Sequence, residues 1–163
     1  MAELTITFTK RRDGSVVTRF ERVDGTATWQ RKDGPQARFF AAHDLTHYAV
    51  ETTRGYRRGF YGLIAEGYDL HDTSAPWPRE QDPVEVIVGF LDRERASGER
   101  WPAAQFNDEA ALYYSARGLA DPPRLDDETL ERMRETAEGL WRQWAQAPEG
   151  GSMVLTFTRK AVG

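Results

Sequence analysis

The N-terminal part of the chain alternates between apolar and polar residues. Over residues 4–10, apolar side chains occupy every second position, with threonines between them. This period of two is typical of a strand with one buried face. Similar alternation covers residues 16–23 and 26–32, and the Asp-Gly pairs at 13–14 and 24–25 are typical of tight hairpin turns. The pattern therefore predicts an antiparallel meander of three strands, which a turn at Asp33-Gly34-Pro35 closes.

The C-terminal segment returns to the same alternation. Met153, Leu155 and Phe157 occupy one face of a predicted strand over residues 153–159. Its sequence, Val-Leu-Thr-Phe-Thr-Arg, is similar to Thr-Ile-Thr-Phe-Thr-Lys near the N-terminus. Because the chain between the two runs has a helical pattern, we expect this strand to pair beside the first strand in one sheet.

Between the meander and the last strand, apolar residues recur at the three- and four-residue spacing of helices. Five helices are predicted from this spacing and from capping residues. The first begins near residues 41–43 and ends before Gly55, and the others run from about Arg58 to Glu66, from Asp82 to Gly98, from Asn107 to Gly118, and from Asp126 or Asp127 to about Gln146.

Two of these helices carry additional signals. Residues 82–85, Asp-Pro-Val-Glu, form a capping box with proline in the first turn. In the last helix, Trp141 and Trp144 continue an apolar stripe that starts at Leu130, so we expect both indoles in the core. Together the elements predict a single α+β domain over 1–163, with an antiparallel sheet of about four strands covered on one face by about five helices.

Composition narrows the classes of function. The chain has 163 residues, no cysteine, a net charge of −4 and a pI of about 5.5. These values argue against a nucleic-acid-binding surface, a disulfide framework and a thiolate site. Because no apolar run is long enough for a membrane span and no charged and apolar leader opens the chain, we expect a cytoplasmic protein. We expect its partner to be a small molecule or another protein.

The candidate chemistry lies in the first predicted helix. On a helix, His43 and His47 are about 40° apart, and Asp44 and Glu51 fall on the same side. Imidazoles four residues apart can converge on one divalent ion, which is why His-x-x-x-His is common in zinc sites. We therefore predict His43, His47 and Glu51 as ligands of zinc or another divalent metal, with Asp44 as the catalytic residue that orients a histidine or the water.

Other assignments remain open at this stage. Glu66, near the end of the second helix, is an alternative third ligand. The same polar face is also consistent with a structural cluster, in which His47 and Glu51 form a hydrogen-bonded pair. The two functional hypotheses are thus a divalent-metal-dependent hydrolase and a non-enzymatic binding or interaction module. Further candidate ligands lie in the following loop: Asp69, His71 and Asp72.

Residues 43–47 resemble the zincin motif His-Glu-x-x-His, with Asp44 in place of the glutamate that activates the metal-bound water. The resemblance implies a zinc site, while the shorter side chain of Asp44 argues against protease activity. The dipeptides His43-Asp44 and His71-Asp72 also resemble those of HD-type phosphohydrolases. That family is all-helical, whereas this chain opens with three predicted strands.

The chain also resembles a family of small uncharacterised bacterial proteins. The resemblance lies in the sequence His-Asp-Leu-x-His-Tyr-x-Val-Glu over residues 43–51, after an N-terminal meander. It continues in the Gly-Phe-aromatic-Gly segment at residues 59–62. No established activity follows from this resemblance, which bears on the identity of the domain and not on a mechanism.

Overall fold

The computed structural model describes residues 2–71, 76–78 and 82–159, with Asp82 described by its backbone alone. These residues form an antiparallel sheet of four strands and five helices, so the predicted α+β fold is confirmed. The elements follow in the order β1 (Leu4–Lys10), β2 (Val16–Arg22), β3 (Ala27–Lys32), α1 (Gly34–Arg54), α2 (Phe60–Glu66), α3 (Asp82–Ser97), α4 (Ala103–Ser115), α5 (Asp127–Gln146) and β4 (Ser152–Phe157).

The sheet has the strand order β3-β2-β1-β4. Strand β4 pairs antiparallel with β1, with Leu4 opposite Phe157 and Phe8 opposite Met153. The predicted pairing of the C-terminal strand beside the first strand is therefore confirmed. Matching alternation places the apolar residues of both strands on the same face, where the helices cover them.

Helix α1 lies at the centre of the molecule. Ala41 and Leu45 pack with the apolar face of the sheet in one buried cluster. Val50 packs in a second cluster with residues from α3, α4 and α5. Because α1 contacts the sheet, α3 and α5, side chains from all of these elements can meet along its length.

Helix α1 begins earlier in the chain than predicted. The helix starts at Gly34, not near residues 41–43, and Pro35 lies in its first turn. Proline is favoured there because its fixed φ suits the helix and its missing N–H has no helical acceptor. We predicted a turn from the same Asp-Gly-Pro sequence, and that interpretation of Pro35 was wrong. The predicted end is confirmed, since Gly55 follows the helix in the left-handed conformation with φ of 76°.

The predicted start of α4, with Asn107 as its cap, is also wrong. The helix begins at Ala103 after Pro102, and Asn107 lies inside it. Instead, the buried Asn107 amide accepts from the N–H of Leu125 at 2.8 Å and donates to the carbonyl of Leu125 at 2.7 Å. Asparagine is therefore needed inside the helix, where it pairs both backbone groups of the segment before α5.

Helix α5 follows the prediction closely. Asp126 caps it by accepting from the N–H of Thr129 at 2.7 Å. Trp144 is buried against Phe8, as expected. Trp141 is only partly buried, and its indole N–H donates to the carbonyl of Ala42 at 3.2 Å. None of the described helices is both long enough and apolar enough to cross a membrane.

Candidate metal centre

Three potential metal ligands meet between α1 and α3. They are His43 and His47 of α1 and Glu85 of α3, and one ligand atom from each lies within 4.8 Å of the other two. The two imidazole rings are 4.8 Å apart between centroids and nearly perpendicular, at 75°. The side chain of His47 is 2% exposed, whereas that of Glu85 is 43% exposed. The group therefore extends from the protein interior to the surface.

His47 lies between two carboxylates. Its Nδ1 is 3.1 Å from Oε2 of Glu51, and its Nε2 is 3.4 Å from Oε2 of Glu85. Burial alone would lower the pKa of His47, but the hydrogen bonds and negative charges of Glu51 and Glu85 outweigh burial and raise the pKa to about 10. In the absence of a metal, the imidazole is therefore protonated at neutral pH.

His43 has an equivalent partner on α3. Its Nδ1 is 2.5 Å from Oδ2 of Asp92, and an ionised carboxylate can only accept at this contact. The Asp92 side chain is 10% exposed. Both histidines thus use Nδ1 toward a carboxylate, which leaves Nε2 of each ring as the atom for a metal. Carboxylate partners of this kind fix the tautomer and orientation of metal-binding histidines.

Glu51 is fully buried behind His47. Its Oε1 accepts from the backbone N–H of Tyr61 at 3.0 Å, near the start of α2. Burial raises the pKa of Glu51. A Cβ at Gly59 would lie 2.5 Å from the Glu51 carboxyl carbon, so only glycine fits beside this carboxylate. The structure therefore places Glu51 where it orients His47, and it is Glu85 that completes the group of three.

Gly62 explains the second glycine of the Gly-Phe-Tyr-Gly segment. A Cβ at this position would lie 1.9 Å from the carbonyl oxygen of Arg57. The close approach of the two backbones lets the chain turn sharply between α1 and α2. This turn brings the N–H of Tyr61 to Glu51, so both glycines of the segment support the environment of His47.

Asp44 lies outside the group of three. Its Oδ2 accepts from the side-chain amide of Gln30 on β3 at 2.6 Å, and its backbone carbonyl accepts from the hydroxyl of Tyr61 at 2.5 Å. Burial raises the pKa of Asp44 to about 6. Asp44 is thus placed where it ties α1 to the sheet and where its charge acts on the neighbouring histidines.

The remaining candidate ligands are held elsewhere. Glu66 pairs with Arg58 and Arg159, each at 3.1 Å. Asp69 pairs with Arg22 at 3.0 Å, and His71 contacts Trp29. Among the described residues, the structure brings none of these three to His43 and His47. Asp72 lies outside the described residues.

Sequence reasoning missed two residues of the site, Glu85 and Asp92. We interpreted Glu85 as part of a capping box, and Asp82, its predicted partner, has no described side chain. Their spacing was a partial signal, because residues seven apart on a helix lie on nearly the same face, although it does not show which element that face meets. The spacing of Glu85 and Asp92 places two carboxylates on the side of α3 that meets α1.

Comparisons with models of known protein families, with curated proteins and with solved structures gave no match. The resemblance of residues 43–51 to small bacterial proteins therefore stays a prediction. Any assignment of function must come from the geometry of the site itself.

Proposed function

We propose that this protein binds a divalent cation, zinc first, through His43, His47 and Glu85 and uses it in hydrolysis. One observation carries the proposal. The three ligand atoms lie within 4.8 Å of one another, while Nδ1 of each histidine is already held by a carboxylate. One nitrogen of each imidazole and a carboxylate oxygen of Glu85 thus lie close together, which a purely structural role of the two rings would not require.

The ligand types support zinc. Two histidines and one glutamate form a known set of three protein ligands in catalytic zinc sites, where water occupies the fourth position. A zinc ion lowers the pKa of its bound water to about 7 and thereby supplies hydroxide at neutral pH. Glu51 and Asp92 would act as positioning residues that hold the two rings.

The charges of the site also favour a cation. Glu51 and Glu85 flank His47 so closely that the imidazole keeps its proton, and a divalent ion at Nε2 would replace this proton. Hydrogen bonding to His47 lowers the pKa of Glu85 despite its partial burial. The carboxylate is therefore ionised and available as a ligand at neutral pH.

A second candidate function is a binding module in which the same residues have a structural role. The observation that favours it is the complete burial of Glu51, which joins His47 to the backbone of α2 without any metal. In that case the His47 cluster would stabilise the junction of α1 and α2, and the protein would bind its partner elsewhere.

Calorimetric titration of metal-stripped protein with zinc and with manganese separates the two functions. We expect one equivalent of metal to bind with a sub-millimolar Kd. Glu85→Gln and His47→Gln should each weaken binding more than about tenfold. Glu66→Gln is the matched control, because it removes a partly exposed carboxylate that the structure places away from the histidines, and it should leave binding unchanged.

Hydrolysis is tested separately on the loaded protein. We expect zinc-dependent cleavage of 4-nitrophenyl acetate or bis(4-nitrophenyl) phosphate that is lost in Glu85→Gln and retained in Glu66→Gln. Metal binding without hydrolysis of any probe would contradict the enzymatic part of the proposal. No metal binding, together with a His47→Gln protein that is merely less stable, would contradict the metal site and favour the structural role.

A further inference from the structure

An exposed aromatic ring borders the candidate metal centre. Phe39 of α1 lies one helical turn before His43, and its ring stacks on that imidazole at 5.5 Å between centroids and 21° between planes. The residue is 46% exposed, although a large apolar ring is normally buried. Because Phe39 contacts His43 directly, its exposed surface is continuous with that of the site.

Aromatic rings also lie on the other side of the histidine pair. Phe60 is 5.3 Å from His47 between ring centroids, and Trp77 stacks on Phe60 at 5.5 Å and 25°. Both Phe60 and Trp77 are only partly buried. The two histidines are therefore placed between Phe39 on one side and the pair of Phe60 and Trp77 on the other.

Lys32 and Arg95 contact aromatic rings other than these three. Lys32 lies over the ring of Phe40 at 4.4 Å, and Arg95 is 3.7 Å from Asp92 and packs over Trp141. The rings in contact with the two histidines instead offer apolar and aromatic surface.

Local packing is the alternative explanation for Phe39. Its ring contacts Phe40 edge to face at 5.2 Å, and such a contact could by itself hold the side chain in place. Packing with Phe40 does not require the ring to stack on a metal-binding histidine, nor to remain nearly half exposed. A ligand group covering the ring would account for both features.

We propose that the ligand of this site is a molecule that coordinates the metal through a small polar group and places an aromatic or aliphatic group against Phe39. This inference rests on the proposed function, since the polar group needs the metal. The ring of Phe39 would stabilise the bound molecule by burying apolar surface and by stacking. Phe39 is then a residue that determines specificity and takes no part in metal coordination.

Two metal-binding probes that differ in their apolar group test the inference. Acetohydroxamate and benzohydroxamate have the same coordinating atoms, but benzohydroxamate adds a phenyl ring. Each is titrated into zinc-loaded protein, after zinc binding has been measured on its own. We expect benzohydroxamate to bind about tenfold more tightly than acetohydroxamate, since a stacked and buried ring contributes free energy of this order.

Variants identify the ring responsible. Phe39→Ala should bring the two probes to within about twofold of each other, with the Kd of zinc unchanged, because the substitution removes the stacking partner and no ligand. Phe39→Leu should keep part of the preference through apolar contact. Leu112→Ala is the control, because Leu112 is an exposed apolar residue of α4, and it should keep the full preference.

Each outcome bears on one of the two proposals. A preference for benzohydroxamate that is lost in Phe39→Ala supports the inference. Equal binding of both probes, or a preference that survives in Phe39→Ala, overturns it and leaves the metal site intact. Failure of zinc itself to bind overturns the proposed function, and the inference with it.

Discussion

Two groups of charged side chains that join helices in this protein differ in how their donor and acceptor atoms are paired. Arg134 of α5 and Glu94 of α3 form an ion pair in which both side chains are 9% exposed. Arg134 Nε donates to Glu94 Oε2 at 3.1 Å, and Nη2 donates to Glu94 and to the carbonyl of Trp101. Donors and acceptors are thus matched within the pair, which joins α3 to α5.

The histidine group lies between α1 and α3 and is arranged differently. Its charge at His47 is a proton, which can be exchanged, whereas a guanidinium keeps its charge at any accessible pH. Two ring nitrogens and one carboxylate also converge instead of satisfying one another in pairs. The comparison indicates that buried charge alone does not identify a site. The histidine group differs from the ion pair in that its ligand atoms converge and its charge can be exchanged.

The largest expected effect concerns the ion pair. Arg134→Ala leaves the Glu94 carboxylate buried without its partner and should lower the free energy of unfolding by about 3–5 kcal/mol. Zinc affinity should stay within about twofold of wild type, because neither residue contacts the histidines. Urea unfolding and calorimetric zinc titration measure the two quantities.

Arg100→Ala is the control for that prediction. Arg100 pairs with Glu131 and Glu138 at the surface, where its side chain is 46% exposed, and such pairs contribute about 1 kcal/mol or less. If Arg134→Ala weakened zinc binding strongly while Arg100→Ala did not, the two groups of charges would be coupled and the contrast between them would fail.

A smaller effect should follow from a change behind His47. In Gly59→Ala the added methyl group would displace the Glu51 carboxylate, and His47 would lose the partner that orients it. Loss of such a partner typically weakens metal binding about 10–100-fold. Gly89→Ala is the matched control, because a Cβ there meets no atom within 4 Å. Unchanged zinc affinity in Gly59→Ala would show that Glu51 does not position His47.

The sequence predicted those parts of the site that lie on one helix. The relation of His43, His47 and Glu51 follows from helical geometry alone, and the glycines at 59 and 62 stood out in the segment that follows. The same alternation that defined β1 and β4 also predicted their pairing. Local periodicity was sufficient for predictions that concerned a single helix or strand, or the pairing of two strands with matching patterns.

Contacts between different helices could not be predicted in this way. Glu85 and Asp92 share a face of α3, but no local signal shows that this face meets α1, since helix packing depends on the whole core. The roles of Pro35 and Asn107 were misassigned for a related reason. A proline in a first turn and an asparagine inside a helix have alternative uses, and tertiary contacts decide between them.

The smallest expected effect is the pH dependence of zinc binding. Because the pKa of His47 is raised to about 10, Nε2 is protonated at neutral pH and must lose this proton before it can bind the metal. Binding should therefore release about one proton, and zinc affinity should rise about tenfold from pH 6.5 to pH 7.5. Titrations in two buffers of different ionisation enthalpy measure the number of protons released. The control variant is His71→Gln, because His71 is exposed, and it should release the same number of protons as the wild type. If zinc affinity does not change with pH, His47 is not a ligand. The contrast between the exchangeable charge at His47 and the fixed charge at Arg134 would then have no functional meaning.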